Sequence, residues 1–288
     1  MKKLTFGFVI LHYQAFDMTV ESVETIKANF DISDKYIVIV DNQSPNGSGE
    51  LLLKKYINDS NIKVILASGN LGFANGNNLG YDYLKANFDV DFIIVMNNDV
   101  LIKQENFFQS IIEIYNKEKF AVLGPDVYCP KAEIHQNPFR LTSIGKNEFK
   151  KMFFVERIKK ILGYSLFMKL VYPVLNRNRK RNIQVNDNYK NEILNPVIHG
   201  SCIILSKDFI QARTYAFNPH TYMFFEENIL HLECMKAGLK IFYSPKIQIL
   251  HMEDVSTDMV FKKNVQKENW KIKHSVNSMK VYRKLLGE

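Results

Sequence analysis

The sequence predicts an α/β fold, a parallel sheet with helices on both faces. Two observations carry this. Over residues 1–126 short apolar runs alternate with segments of helical spacing, the order expected when each strand is followed by a crossover helix. The strand-like runs are also apolar without interruption, as sheet burial on both sides requires.

The elements follow in order. Residues 6–13 read as the first strand. Residues 18–30 read as a helix, with Val20, Val23, Ile26 and Phe30 at helical intervals and Asp17 as its N-cap. A β-branched strand at 36–40 leads into turn chemistry at 44–49. A helix at 51–57, a strand at 62–66, a helix at 72–86, a strand at 92–96, a helix at 106–115 and a fifth strand at 121–123 complete this half. Residues 127–194 break the rhythm. It returns with a strand at 197–205, a helix at 229–237 stopped by Gly238, and short strands at 240–243 and 247–251. Residues 264–286 form a basic amphipathic helix. The chain thus divides into 1–126 and 195–260 as two halves of one domain, a helical insert at 127–194, and a C-terminal helix within 261–288. Ligands of such sheets bind beyond the carboxyl ends of the strands.

Charge is localised. Lys and Arg number 38 against 30 acids, a formal +8 over 288 residues. The window 146–182 holds eleven Lys and Arg but only Glu148 and Glu156, so it carries +9 and leaves −1 for the rest. A near-neutral body with one basic insert is not the pattern of a chain that coats nucleic acid. Phe153, Phe154, Ile158, Ile161, Leu162, Leu166, Phe167 and Leu170 are interleaved with those charges. Cys129, Cys202 and Cys234 are odd in number and far apart, which disfavours a zinc cluster or disulfide framework and fits a reducing cytoplasm. The start resembles a signal peptide, but His12-Tyr13-Gln14 closes the run with no small-residue cleavage pattern, so a core strand is expected. No apolar stretch approaches the ~20 residues that span a bilayer.

Polar residues gather at strand ends. The first strand is not followed by GxGxxG and no GK[ST] exists, which disfavours dinucleotide and P-loop sites. Asp41-Asn42 closes the second strand, where a carboxylate either accepts from a base or ribose or caps the turn. In the segment 70–80, Gly72, Gly76 and Gly80 recur every four residues on one helix face. Each costs about 1 kcal/mol of helix stability relative to alanine, so close packing or ligand approach must compensate. The start of that helix is expected to offer N–H groups to an anion. Asn97-Asn98-Asp99 ends the fourth strand, with a carboxylate able to hold a divalent ion on a diphosphate. Glu226-Glu227 follows the run Tyr222-Met223-Phe224-Phe225. Adjacent acids in apolar surroundings favour a raised pKa on one of them, as a general base needs. His251 ends a strand as a metal or phosphate ligand, or as a polar rim residue.

In order and spacing, these motifs, together with His199-Gly200-Ser201, resemble the family 2 glycosyltransferases, and most of all the bacterial rhamnosyltransferase-like branch. The resemblance covers 5–126 and 195–256. It implies a GT-A fold, a Rossmann-like nucleotide-binding sheet, and inverting transfer of a sugar from a UDP- or dTDP-linked donor. It implies Tyr13, Asp41, Asn70, Gly72, Phe73, Asn77, Asn98 and Asp99 as nucleotide-sugar contacts. Asp99 and His251 would hold Mg2+ or Mn2+, Glu227 would be the catalytic base, and Gly200, Ser201 and Glu226 would line the acceptor side. The first strand ends His12-Tyr13-Gln14 where relatives often show Asn-Tyr-Asn, and three further positions depart from the pattern. Asn97 leaves one carboxylate in the metal motif, Ile229 stands at a later acidic position, and Glu233 stands where a basic residue is usual.

The expected partners are therefore a nucleoside-diphosphate sugar and a glycan or polyprenyl-diphosphate-linked acceptor. An anionic membrane surface would be met through 146–182, placing the enzyme on the cytoplasmic side in surface polysaccharide synthesis. A solvated basic lid or an oligomer contact is the alternative role for the insert. Two other functions compete: a catalytically weak sugar-nucleotide-binding subunit, and a sugar nucleotidyltransferase, which would need a Gly-rich, Arg-containing loop after the first strand.

Overall fold

The computed structural model describes residues 4–28, 35–175, 187–252 and 264–287. Within these, β1 (Phe6–His12), α1 (Phe16–Ala28), β2 (Lys35–Asp41), α2 (Ser48–Tyr56), β3 (Ile62–Leu66), α3 (Gly72–Asn87), β4 (Phe92–Asn97), β5 (Val100–Leu101) and α4 (Phe107–Glu118) form the first half. The strands β6 (Val122–Cys129) and β7 (Ile134–His135) follow, then α5 (Lys146–Leu162), α6 (Tyr164–Leu170) and α7 (Tyr172–Leu175). The second half contains β8 (Ile193–Leu194), β9 (Cys202–Ser206), α8 (Lys207–Ala212), α9 (Glu226–Lys236) and β10 (Ile241–His251), and α10 (Asn264–Leu285) closes the chain.

The alternation expected of residues 1–126 is present, but the sheet is mixed rather than all parallel. Its order is β3-β2-β1-β4-β9-β6-β10-β5, with β7 on β6 and β8 on β10. Strands β1 to β4 pair in parallel, whereas β9 runs antiparallel to both β4 and β6. The antiparallel fit needs no crossover helix, because the long insert returns the chain to the opposite end of the sheet. β9 is also shorter than the 197–205 expectation. Val197 instead bridges Arg140, and Asn137 accepts from the His199 N–H at 2.7 Å. The two short strands expected at 240–251 are one strand with a register shift between Ser244 and Gln248. Pro245 lies in that gap, lacking the N–H a ladder needs.

Two apolar layers cover the sheet. Phe6, Phe8, Ile10, Ile39, Phe92, Ile94 and Phe108 pack on one face, and Val9, Val38, Val40, Tyr81, Val95 and Phe209 on the other. A third cluster lies away from the sheet. Ile229 of α9 is buried with Phe149 and Phe153 of α5 and Ile272, Val276, Met279 and Tyr282 of α10. The insert and the C-terminal helix therefore dock onto the helix that begins at Glu226. Asp17 falls inside the first turn of α1 instead of capping it, where its charge still complements the helix dipole. The basic window reaches 182, and its residues 176–182 lie outside the described residues, as do Glu253 and Asp254.

The glycine periodicity of α3 has a packing cause. A methyl on Gly80 would sit 2.5 Å from Val9 Cγ1, and one on Gly76 would sit 2.5 Å from Leu11 Cδ1. These glycines let α3 rest directly on β1 and β2. We expect Gly80→Ala to destabilise the protein by about 1–2 kcal/mol, because overpacking against a stiff valine outweighs the helix-propensity gain. A lower urea midpoint with an unchanged m-value would agree, and an unchanged or raised midpoint would not.

Candidate active site

The polar motifs converge at the carboxyl ends of β1, β2, β4 and β10. A buried chain links them. His12 is fully buried, and burial lowers its pKa to about 4, so the ring is neutral. Thr19 donates its hydroxyl proton to Ala15 O at 2.9 Å and so accepts from His12 Nδ1–H at 2.6 Å and from Asn98 Nδ2 at 3.0 Å. His12 Nε2, left with its lone pair, accepts from the Ser48 hydroxyl at 2.8 Å. This chain ties α1, α2 and the Asn98-Asp99 turn to β1. It gives His12, the departure from the usual residue after the first strand, a positioning role that sequence reasoning missed.

Asn42 organises the start of α3. Its Oδ1 accepts from Leu71 N at 2.7 Å, and its Nδ2 donates to Gly72 O at 3.1 Å. Asn70 Oδ1 accepts from Gly72 N at 3.0 Å and from the Tyr222 hydroxyl at 2.8 Å. Phe73 N donates to Tyr222 O at 2.7 Å, and Gly72 adopts a φ of 74° with its Cα against that carbonyl. The expectation that this helix start offers N–H groups to an anion is thereby narrowed, because the N–H groups of Leu71, Gly72 and Phe73 already have protein partners. Asn78, not singled out beforehand, clamps the chain before α9: its Oδ1 accepts from Ala216 and Phe217, and its Nδ2 donates to Phe217 O. Asn77 donates to Phe73 O, while its buried Oδ1 has no partner. Asp41 caps its turn by accepting from Ser44 N at 3.2 Å and lies against Gly49, where any Cβ would be 2.4 Å from its carboxyl carbon. Tyr13 follows the same strand end and stands within electrostatic reach of Tyr222.

Asp99 and His251, the two ion ligands that the resemblance implies, lie side by side. Asp99 is 6% exposed, and its Oδ1 lies 3.3 Å from His251 Nε2 with no hydrogen-bond partner. His251 Nδ1 is 2.7 Å from Gln136 Oε1, an oxygen that accepts only. Nδ1 therefore carries a proton, and Nε2 is the ring atom that faces the carboxylate, where its lone pair can join Asp99 in holding an ion. The buried, unpartnered Asp99 Oδ1 and a ring nitrogen 3.3 Å from it are a donor set that fits a divalent ion. A Mg2+- or Mn2+-type ion takes one or two protein ligands and fills its other positions with water and substrate phosphate. Among the described residues no cluster of three or more His, Cys, Asp or Glu side chains has metal-site geometry. Gln136 lies in the irregular stretch after β6 and carried no sequence signal.

The acid pair opens α9. Phe224 and Phe225 before it both hold left-handed backbone, with φ of 68° and 73°. That strained corner is held by Ser278 Oγ donating to Met223 O and by Phe225 packing on Tyr282. Burial and the neighbouring Glu227 charge push Glu226 up to about 8, so it is protonated at neutral pH. Burial also raises Glu227, but its own N–H and that of Gly200 oppose the rise. A Cβ on Gly200 would lie 2.9 Å from Glu227 Oε1, so this glycine makes room for the carboxylate. Ser201 stands beside it. Its N–H donates to His199 Nδ1, and its carbonyl accepts from Asn97 N at 2.9 Å. Burial and the nearby His251 lower His199 to about 3, with Asp99 opposing, so it is neutral beside His251. The departures are structurally absorbed: Ile229 fills the cluster under α5 and α10, and Glu233 pairs with Arg213 and accepts from Tyr215 and Asn218.

No curated protein sequence matches this chain. Solved structures share its fold at low identity. S. aureus TarS 1-349 is 12% identical with a TM-score of 0.52, over 86% of this chain and 60% of that one. The same protein in complex with UDP-GlcNAc gives 11% and 0.51, over 93% and 64%. The mannosyltransferase PcManGT from Pyrobaculum calidifontis, in complex with GDP-Man and Mn2+, gives 9% and 0.53, over 88% and 59%. The chain thus spans about 60% of the length of TarS 1-349 and of PcManGT. These neighbours agree with the GT-A α/β architecture. The family model described as "Glycosyl transferase family 2" matches residues 8–211, and the chain belongs to that family.

Proposed function

We propose that the protein transfers a hexose, with inversion, from a nucleoside-diphosphate sugar to a hydroxyl of a glycan or polyprenyl-diphosphate-linked acceptor. The observation that carries this reading is the Asp99–His251 pair, with Glu227 held against Gly200, the neighbour of the Ser201 whose carbonyl accepts from Asn97 N–H. The donor nucleotide would lie along Tyr13, Asp41, Asn70, Gly72, Phe73 and Asn77, with Asn98 and Asp99 toward its diphosphate. A UDP- or dTDP-linked sugar, rhamnose among the candidates, matches the sequence resemblance.

Asp99 and His251 would hold a Mg2+ or Mn2+ ion, which when bound offsets the charge of the leaving diphosphate. Glu227 accepts the acceptor hydroxyl proton as the oxygen attacks the anomeric carbon. Protonated Glu226 keeps a second negative charge away from that attack and faces the acceptor side with Gly200 and Ser201. Neutral His199 adds no positive charge to compete with the ion. The other reading, a binding subunit with weak catalysis, drew on Asn97 and Ile229. The packing role of Ile229 removes half of that argument.

The basic insert supports work at a membrane. Phe154, Ile161, Leu166 and Leu170 are 66%, 78%, 43% and 56% exposed on α5 and α6, whose opposite side buries Phe149, Phe153 and Phe167. Lys150, Lys151, Arg157, Lys160 and Lys169 share these helices. Exposed apolar side chains framed by cations suit an anionic leaflet, each cation near the surface adding about 1 kcal/mol. Among the described residues no helix is long and apolar enough to cross a membrane. In this reading the protein acts on the cytoplasmic face, in bacterial surface polysaccharide synthesis.

Three outcomes test these statements. In a screen of UDP-, dTDP- and GDP-sugars with Mn2+ or Mg2+, at least one donor should raise the melting temperature and release nucleoside diphosphate. If none is bound or turned over, the function fails. The acid limb of kcat should lie above the ordinary glutamate range of about 4.3, since Glu227 must be ionised and burial raises its pKa. A limb at or below that range would assign the base elsewhere. The protein should float with vesicles rich in anionic lipid and lose this on changing Phe154 and Ile161 to Ser together with Lys150 and Lys151 to Gln. Equal flotation of this variant would place the contact elsewhere.

A further inference from the structure

Asp126 and His135 form a built polar cluster that the transfer chemistry does not use. The strand register fixes its geometry. Asp126 stands opposite Gln248, and Tyr128 stands opposite both Leu250 on β10 and His135 on β7. Side chains alternate along a strand, so these residues share one face while Val127, Ile249, Gln136 and His251 take the other. An open cleft of about 570 Å3 lies over the first face, with Lys103 at its rim.

The imidazole of His135 is held on three sides. Its Nδ1 lies 2.8 Å and 3.0 Å from the two Asp126 oxygens and donates to that carboxylate. One ring face lies 3.6 Å from the Tyr189 ring at 7° to parallel, and the Tyr128 ring is 5.1 Å away. Tyr189 is itself fixed, since its carbonyl accepts from the Tyr243 hydroxyl at 2.6 Å. With Nδ1 committed, Nε2 is the ring's remaining hydrogen-bonding atom. Asp126 is only 2% exposed, and burial pushes its carboxyl up while the His135 N–H opposes the shift. Packing alone does not call for a desolvated carboxylate and an oriented imidazole here, since an apolar pair would fill the same space without the desolvation cost.

We propose that this cleft is a second carbohydrate-binding site, which takes a sugar ring of the acceptor glycan remote from the hydroxyl being extended. The identity of the bound glycan as acceptor rests on the sugar-transfer reading above. Its size lies within the roughly 300–1,000 Å3 of small-molecule sites. His135 Nε2 accepts from a sugar hydroxyl, Gln248 both donates and accepts, and Lys103 donates from the rim. Tyr128 and Leu250 offer apolar surface to the C–H face of the ring. An anion suits the cleft less well, because its one rim cation is balanced by the Asp126 carboxylate on the floor. His135, the last residue of β7, is followed by Gln136, which orients His251, so neighbouring residues of the chain serve the cleft and the transfer centre.

The test is saturation-transfer NMR on the full chain with methyl glycosides of glucose, galactose, N-acetylglucosamine and rhamnose, in the presence of UDP and Mn2+. We expect at least one glycoside to bind with the nucleotide in place. His135→Phe, which keeps the stack on Tyr189 and removes Nε2, and Gln248→Ala at the exposed rim should each weaken it about tenfold, the effect of about 1.4 kcal/mol. UDP affinity measured on the same samples confirms that each variant is folded. The proposal is overturned if no glycoside binds to a chain that binds UDP, if both variants bind it as well as the parent, or if inorganic phosphate occupies the cleft and the glycosides do not. If the unaltered chain binds none of UDP, dTDP and GDP, the sugar-transfer reading fails instead, so the two failures are distinguishable.

Discussion

The site depends on the wedging of β9 between β4 and β6. Among the described residues this antiparallel strand joins β4, at the edge of the parallel set β1 to β4, to β6, while β10 also pairs with the two-residue β5 at the far end of the sheet. The approach of β9 is fixed just beyond the ladder, where Asn97 N–H donates to Ser201 O. That single bond sets the metal-motif turn beside Gly200, and Gly200 in turn accommodates Glu227. Residues more than a hundred positions apart are thus placed by one strand register. A slip of one residue would turn every β9 side chain to the opposite face, so the buried alternation of β9 protects the site as much as the core.

A second constraint comes from the far side of α9. The acids at its start are held by two left-handed phenylalanine residues, a conformation that non-glycine residues adopt only where the surroundings over-determine it. Here the surroundings are the C-terminal helix and the insert. Ser278, Tyr282 and the cluster around Ile229 hold the corner. The insert therefore joins two roles, packing its inner face behind the catalytic corner and turning a basic, partly apolar face outward.

Much of the first half was legible in the sequence, because uninterrupted strands such as 36–40 and the helical spacing of Val20, Val23 and Ile26 encode burial directly, Phe30 of that pattern lying outside the described residues. The glycine period of 72–80 was legible as close packing, but not which N–H groups remained open, since those are claimed by Asn42, Asn70 and Tyr222 from distant positions. The antiparallel sense of β9 could not be read, because an apolar run carries no direction. Asp99, Glu227 and His251 stood out by their place at strand and helix ends. Gln136 and Thr19, which orient two of the site's groups, did not, because an amide or a hydroxyl gains meaning only from its partner in space. Ile229 and Glu233 read only as departures from the family pattern in one dimension and are buried contacts in three.

The central claim is that Glu227 takes the acceptor proton while Asp99 and His251 serve the diphosphate. It is tested most directly by Glu227→Gln, which keeps the shape of the side chain and removes its basicity. With the donor identified by turnover, we predict a loss of kcat of about 10²–10⁴-fold, the usual worth of general-base catalysis, with donor and Mn2+ affinity unchanged. Turnover within a few fold of the parent, or loss of donor binding alongside turnover, would contradict the account.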